Sequence, residues 1–161
     1  MSLQRLQLDQ ITLADLQALV EHEVCEGKEI DYKEQLPGSS DGEKREFLYD
    51  VASFANCNGG DILYGVPERR DDQNRPTGMP ASLTGIAIPN LDSEKLRLES
   101  LIRDGIEPRI VGVAFQPIPV GGTQAILMIR IPRSWSSPHM VKYQSASRFY
   151  SRNSAGKYPL V

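Results

Sequence analysis

Apolar and polar positions alternate along this chain with two different periods. In "TLADLQALVEHE" the residues Leu13, Leu16, Leu19 and Val20 recur at helical spacing, one face of a 3.6-residue repeat. Thr12 and Asp15 have the spacing of a capping box, with Asp where Glu or Gln is usual. In "EIDYKEQLP" the period drops to two: Ile30 and Tyr32 alternate with Glu29, Asp31 and Lys33. That predicts a strand with Asp31 and Lys33 on one face and Ile30 and Tyr32 on the other. From Glu43 to Cys57 a wide helical stripe returns through Phe47, Leu48, Val51, Ala52, Phe54 and Ala55. "NGG" then ends the helix, with Asn58 or Gly59 taking the left-handed conformation, and "DILYGV" reads as a short buried strand.

Beyond it, "PERRDDQNRPTGMP" is too charged for core and reads as a polar loop. "SLTGIAI" is a candidate strand. "LDSEKLRLESLIRDGI" predicts a helix opened by Asp92 or Ser93, with Leu98, Leu101 and Ile102 facing the core. "RIVGVAFQPIPV" and "TQAILMIRIP" read as a hairpin turned at "GG", and "SASRFYSRNS" holds a last short strand. The expected order α-β-α-β-(β)-α-β-β-β is an α+β fold: a single mixed sheet with helices packed mainly on one face. One domain over residues 1–161 is expected, with the opening "MSL" as an expression scar and the whole cut from a longer protein.

Composition narrows the class. At 161 residues, 40% apolar and 24% charged, the chain suits one globular domain with its own core. No apolar run nears the ~20 residues of a membrane span, and no secretory pattern opens the chain, so no membrane partner is expected. Cys25 and Cys57 are not in a C-x-x-C spacing, which favours reduced thiols and a cytoplasmic location.

The net charge of −3 conceals a strong asymmetry. All 21 acids lie before residue 109, while residues 109–161 carry seven cations: Arg109, Arg130, Arg133, Lys142, Arg148, Arg152 and Lys157. A segment without carboxylates is what a phosphate-facing surface would look like; the alternative is that these cations pair with the acidic half. The strand period puts Arg148, Tyr150 and Arg152 on one face, where arginines beside an aromatic ring can clamp phosphate and stack on bases, or guard a sheet edge. Lys142 is a further phosphate candidate, whereas Trp135 reads as a core plug or loop anchor. No G-x-x-x-x-G-K-[ST] or G-x-S-x-G motif is present, and two histidines are too few for a histidine-led metal site.

Three stretches together resemble the Schlafen-type AlbA domain family, which is described as DNA-binding: "EGKEIDYKE", "REFLYDVASFANCNGGDILYGVPE" and "RFYSRNS". They occur in the family's order from Glu26 to Ser154. The resemblance implies an AlbA/Schlafen-core-like fold and a nucleic-acid partner, DNA or RNA, with no cofactor needed for binding. The expected function is a nucleic-acid-binding module of a regulator, gripping phosphates through the C-terminal strands and Lys33. Asn56 and Asn58 would line the site, while Gly59 and Gly60 form a structural joint.

The alternative implied by the resemblance is an endoribonuclease. Schlafen nucleases hold a divalent ion with two acids five residues apart and a third after a Gly-Val strand, positions that fall here on Glu26, Asp31 and Glu68, with the family's lysine on Lys33. Mg²⁺ or Mn²⁺ would suit such carboxylates. Asp at the second position and Glu at the third each shift reach by about 1.5 Å, one carbon–carbon bond; the competing reading is that all three are ordinary surface acids. A two-lobed nuclease pincer would require a homodimer. A protein-interaction scaffold with an acidic face is the remaining class.

Overall fold

The protein is described by a computed structural model that covers residues 3–160. Met1 and Ser2 of the expected scar lie outside the described residues, but Leu3 is 5% exposed and packs in the core. Two short 3-10 turns precede α1 (Leu13–Glu21), whose capping box forms as expected: the Thr12 amide donates to Asp15 Oδ2 at 2.8 Å.

The centre of the fold is a β-α-β unit. Strand β1 (Ile30–Lys33) leads through α2 (Asp41–Ala55) to β2 (Gly59–Tyr64), which runs parallel to it with Asp31 opposite Ile62 and Lys33 opposite Tyr64. Ser40 caps α2, its hydroxyl accepting from the Glu43 amide at 3.2 Å. Between α2 and β2, Gly59 has φ 77°, and a Cβ there would lie 2.6 Å from the Arg133 nitrogen. At Gly60 a Cβ would sit 2.3 Å from the Phe54 ring. The glycine corner is therefore a joint that lets helix and strand pack closely.

Segment 68–80, expected as a loop, is an antiparallel hairpin of β3 (Glu68–Arg70) and β4 (Pro76–Pro80). Its turn is closed locally, with the Asp71 carboxylate accepting from the Gln73 and Arg75 amides at 2.9 Å each. Side-chain polarity hid it from a reading based on apolar runs. After β5 (Ile86–Ala87), α3 (Leu91–Gly105) is capped by Asn90, not by Asp92 or Ser93: Asn90 Oδ1 accepts from the Ser93 amide at 3.0 Å. β6 (Ile106–Glu107) follows, then the expected hairpin of β7 (Ala114–Gly121) and β8 (Gln124–Pro132).

The mixed sheet is five-stranded, in the order β1-β2-β8-β5 with β7 also against β8. One face carries α2 and α3 over Phe47, Phe54, Ile62, Leu98, Leu127 and Ile129. The other carries α1 over Leu16, Leu19, Tyr32, Leu63, Ile126 and Met128. Added to this sheet is an antiparallel one, β11-β10-β9-β6, built from β9 (Met140–Tyr143), β10 (Ala146–Asn153) and β11 (Gly156–Leu160) with β6. It packs on the far side of α2, where the Tyr150 ring stacks on Tyr49 at 4.2 Å. Held between two sheets, α2 is buried at every position from Phe47 to Ala55, so polar residues on its outer side become interior groups.

Candidate metal centre

Asp31 stands in mid-strand β1 on the face toward α2 and is 5% exposed. Glu26 lies in the turn before β1, held from three sides. The Tyr32 hydroxyl donates to Val24 O at 2.6 Å, the Glu26 amide donates to Gly78 O at 2.7 Å, and Arg152 Nε donates to Gly27 O at 2.9 Å. Glu68 opens β3, and its Oε2 accepts from the Gly78 amide at 3.2 Å. Gly78 thus grips both glutamates from β4. Its φ is 80°, and a Cβ there would come within 3.2 Å of Glu26 Cγ, so the position suits glycine alone.

These constraints converge three carboxylates, each offering an oxygen, with Glu26, Asp31 and Glu68 all within 4.8 Å of one another. Among the described residues no other group of three His, Cys, Asp or Glu side chains meets this condition. The one-carbon departures at Asp31 and Glu68 have not moved the oxygens apart. Burial, followed by hydrogen bonding and repulsion from Asp31 and then Glu68, pushes the Glu26 carboxyl up to about 9 from its ordinary 4.5. Three acids so close ionise fully only when a positive charge joins them. The donor set fits a hard divalent cation: carboxylate oxygens, partly buried, with the outer two at the surface.

Behind Asp31 lies a second charged cluster whose members neutralise one another. Lys33 Nζ is 3.6 Å from Asp31 Oδ2 and 3.3 Å from Asp50 Oδ2, and Lys157 Nζ is 2.8 Å from both Asp50 Oδ1 and Glu46. Burial alone would lower the Lys33 ammonium, but Asp50 and then Asp31 outweigh it and hold it above its ordinary value. Lys157 is held up in the same way, chiefly by Asp50. Burial pulls the Asp50 carboxyl upward while the two ammonium groups pull it back. Since both partners lie within ion-pair distance, we take it as ionised.

The expected phosphate contacts distribute differently. Arg152 is 3% exposed: it reaches Asp31 at 3.6 Å, donates to Ser53 Oγ at 3.3 Å and lies over Phe54 at 4.0 Å. It positions Asp31 and the Glu26 turn and cannot meet a phosphate. Tyr150, on the same strand face, is likewise turned onto α2. Asn56 ties loops together, donating to His139 O and Tyr150 O at 2.9 Å and accepting from the His139 amide; it does not line the acids. Asn58 is exposed at the corner. Lys142 is exposed and pairs with Glu107 at 3.3 Å, a surface contact of small energetic weight.

Of the seven C-terminal cations, Arg130, Lys142, Arg152 and Lys157 are thus paired with the chain's own carboxylates. Arg109, Arg133 and Arg148 remain at the surface. Trp135 is no core plug: it is 88% exposed, with the Arg133 guanidinium over its ring at 4.9 Å.

Sequence reasoning missed Asp50 and Ser53, the interior polar groups of α2. The available signal was an Asp embedded in "FLYDVASFA", where an acid inside an apolar run calls for a partner.

Two solved structures share this fold. One is the N-terminal domain of a protein related to the ATP-dependent DNA helicase RecG from Nitrosomonas europaea, at 20% identity, 89% coverage of each chain and a TM-score of 0.61. The other, from Corynebacterium diphtheriae, has 17% identity and a TM-score of 0.54; the match covers 98% of this chain but 27% of that one. No curated protein matches the sequence. The family pattern described as Schlafen, AlbA_2 matches residues 26–161, the span that begins at Glu26 and contains the β-α-β unit, all three acids and the second sheet. The chain belongs to the Schlafen AlbA_2 family.

Proposed function

We propose that this domain is a divalent-cation-dependent nuclease module, with structured RNA as its substrate class. One observation carries the reading: three carboxylate oxygens, from Glu26, Asp31 and Glu68, converge within 4.8 Å without a cation among them to neutralise all three. A bound Mg²⁺ or Mn²⁺ would supply positive charge to a phosphoryl group and to the attacking oxygen. The chain's own part is to hold the three acids in register. Gly78 fixes Glu26 and Glu68, while Arg152 and Lys33 fix Asp31. Lys33, with its side chain 33% exposed, places a point charge beside the position a phosphate would take. Support for nucleic acid as the ligand comes from the family and from the RecG-related name of the structural neighbour.

The test is cleavage of a structured RNA with Mn²⁺, paired with calorimetric Mn²⁺ binding. Asp31→Asn and Glu26→Gln are each expected to lower cleavage by roughly 100-fold or more and to weaken Mn²⁺ at least as much as the loss of an outer-shell partner does, about 10–100-fold. A folded wild type that neither binds Mn²⁺ nor cuts RNA retires the nuclease.

A second reading, binding of single-stranded nucleic acid without cleavage, is favoured by a different patch. Exposed Trp135 under Arg133 is a platform for a base. Binding that falls steeply with salt and with Trp135→Ala, in the absence of any cleavage, would select it.

A further inference from the structure

A cleft of about 350 Å³ is lined in part by Lys33, the residue that also pairs with Asp31, and lies within the ~300–1,000 Å³ range of small-molecule sites. It lies at the carboxyl ends of the parallel strands β1 and β2, bounded by the loop after β1 and the first turns of α2. In crossover folds this end of the strands is where ligands gather.

Its chemistry is unlike that of a phosphate site. Its apolar lining comes from Phe47, Leu36 and Tyr64, and its polar lining includes the Gln35 amide and the Glu43 and Glu46 carboxylates beside the Lys33–Asp50 pair. Glu46 already pairs with Lys157 at 2.8 Å, so Glu43 is the lining carboxylate placed to accept a hydrogen bond from an amino group. Tyr64 is 2% exposed, and its hydroxyl makes no hydrogen bond within the described residues. No fully buried side-chain polar atom lacks a partner, so that hydroxyl is the part of the residue that opens onto the cleft. An almost wholly buried side chain with its one polar atom left for a ligand is the mark of a recognition group.

We propose that this cleft is a base-binding subsite: it takes an amino-bearing nucleobase of the strand whose phosphate lies at Glu26, Asp31 and Glu68, and so rests on the nuclease reading. The apolar lining receives the ring, the Tyr64 hydroxyl and Gln35 amide meet its edge, and the Glu43 carboxylate accepts from its amino group. Lys33 joins the two halves. It lines the cleft while its Nζ lies 3.6 Å from Asp31, within one side chain of both phosphate and base. Uracil, which has no amino group, is the poorer occupant.

Adenosine and uridine are the probes, followed through the backbone amide resonances of the intact protein, with Mn²⁺ binding measured in parallel. Gly42 lines the cleft, and a Cβ there meets no atom within 4 Å. Gly42→Leu therefore fills the cleft from a helical position where Leu is favoured over Gly. Tyr64→Phe removes only the hydroxyl. Adenosine is expected to shift amides of residues 33–36 and 42–50, and uridine to bind more weakly. Gly42→Leu should abolish the adenosine response with Mn²⁺ affinity unchanged. Tyr64→Phe should weaken it by about three- to tenfold, the worth of one hydrogen bond.

An adenosine response absent from wild type, or unchanged in Gly42→Leu, overturns the subsite and leaves the nuclease reading standing. Equal binding of uridine overturns the amino-base preference. Adenosine binding by a protein that takes no Mn²⁺ and cuts no RNA overturns the nuclease reading, and with it the cleft's place beside a scissile phosphate.

Discussion

Two carboxylate clusters meet at Asp31, and they are built on opposite principles. On the α2 side, Asp50 is 2% exposed yet lies between Lys33 and Lys157, and Asp31 faces Lys33 and Arg152. On the hairpin side, Glu26, Asp31 and Glu68 face one another, and Glu26 bonds to a proton where a cation would serve. A structural cluster brings its own counter-charges, whereas the proposed metal centre leaves part of its charge for a cation to balance. Removing a carboxylate should therefore have opposite consequences on the two sides.

The largest effect is expected at Asp50. Asp50→Ala leaves two partly buried ammonium groups without their shared partner and takes the bond from the inner end of Lys157. Breaking a buried ion pair from one side costs about 3–5 kcal/mol, a large part of the stability of a small domain. Urea denaturation would show it as a lowered midpoint, or as loss of soluble protein. An unfolding free energy lowered by less than about 1 kcal/mol would show that the α2 cluster is not holding the two sheets on the helix.

That cluster also shows what the chain's pattern could and could not reveal. Periodicity gave α1, α2, β2, α3 and the β7–β8 hairpin, since each has an apolar face that one period captures. It missed β3–β4, where the paired backbone carries charged side chains, and β9 and β11, strands too short to display a period. Without the second sheet in view, Arg152 read as a phosphate contact on an exposed strand face, and nothing in the pattern gave Asp50 its buried partners. The acids at 26, 31 and 68 were legible through family resemblance, because that pattern records which residues converge. Charge sorted along the chain did not become charge sorted in space: Arg130, Arg152 and Lys157 folded back onto Asp61, Asp31 and Asp50.

A second contrast lies in pH. The Glu26 carboxyl titrates at about 9 in the folded protein and near 4.5 ordinarily. Between those values the folded state keeps a proton that the unfolded chain has released. The group's stabilising contribution is complete below pH 4.5 and is lost as pH rises through 9. Metal-free protein should therefore melt at a lower temperature at pH 8.5 than at pH 6, and Glu26→Gln should flatten that slope. Mg²⁺ acts in the other direction: binding must expel the shared proton, so its affinity rises over the same window. Melting curves at two pH values, with and without Mg²⁺, measure both slopes at once. An identical slope in wild type and Glu26→Gln would show that the three acids do not share a proton.

The smallest effect carries the sharpest sign. Glu68→Gln keeps an oxygen to accept the Gly78 amide, now 3.2 Å from Oε2, while it deletes a negative charge that crowds Glu26. With no cation present the variant should be more stable than wild type by about 0.5–1 kcal/mol, the usual yield of relieving a functional conflict. In saturating Mn²⁺ the order should reverse, because ligand binding stabilises the native state in proportion to its affinity and the variant has lost a donor. Parallel denaturation curves with and without Mn²⁺ read the crossing directly. Asp50→Asn, by contrast, should be destabilised under both conditions. If Glu68→Gln instead lost stability without metal, as Asp50→Asn does, both clusters would be structural and the three acids would no longer mark a reaction centre.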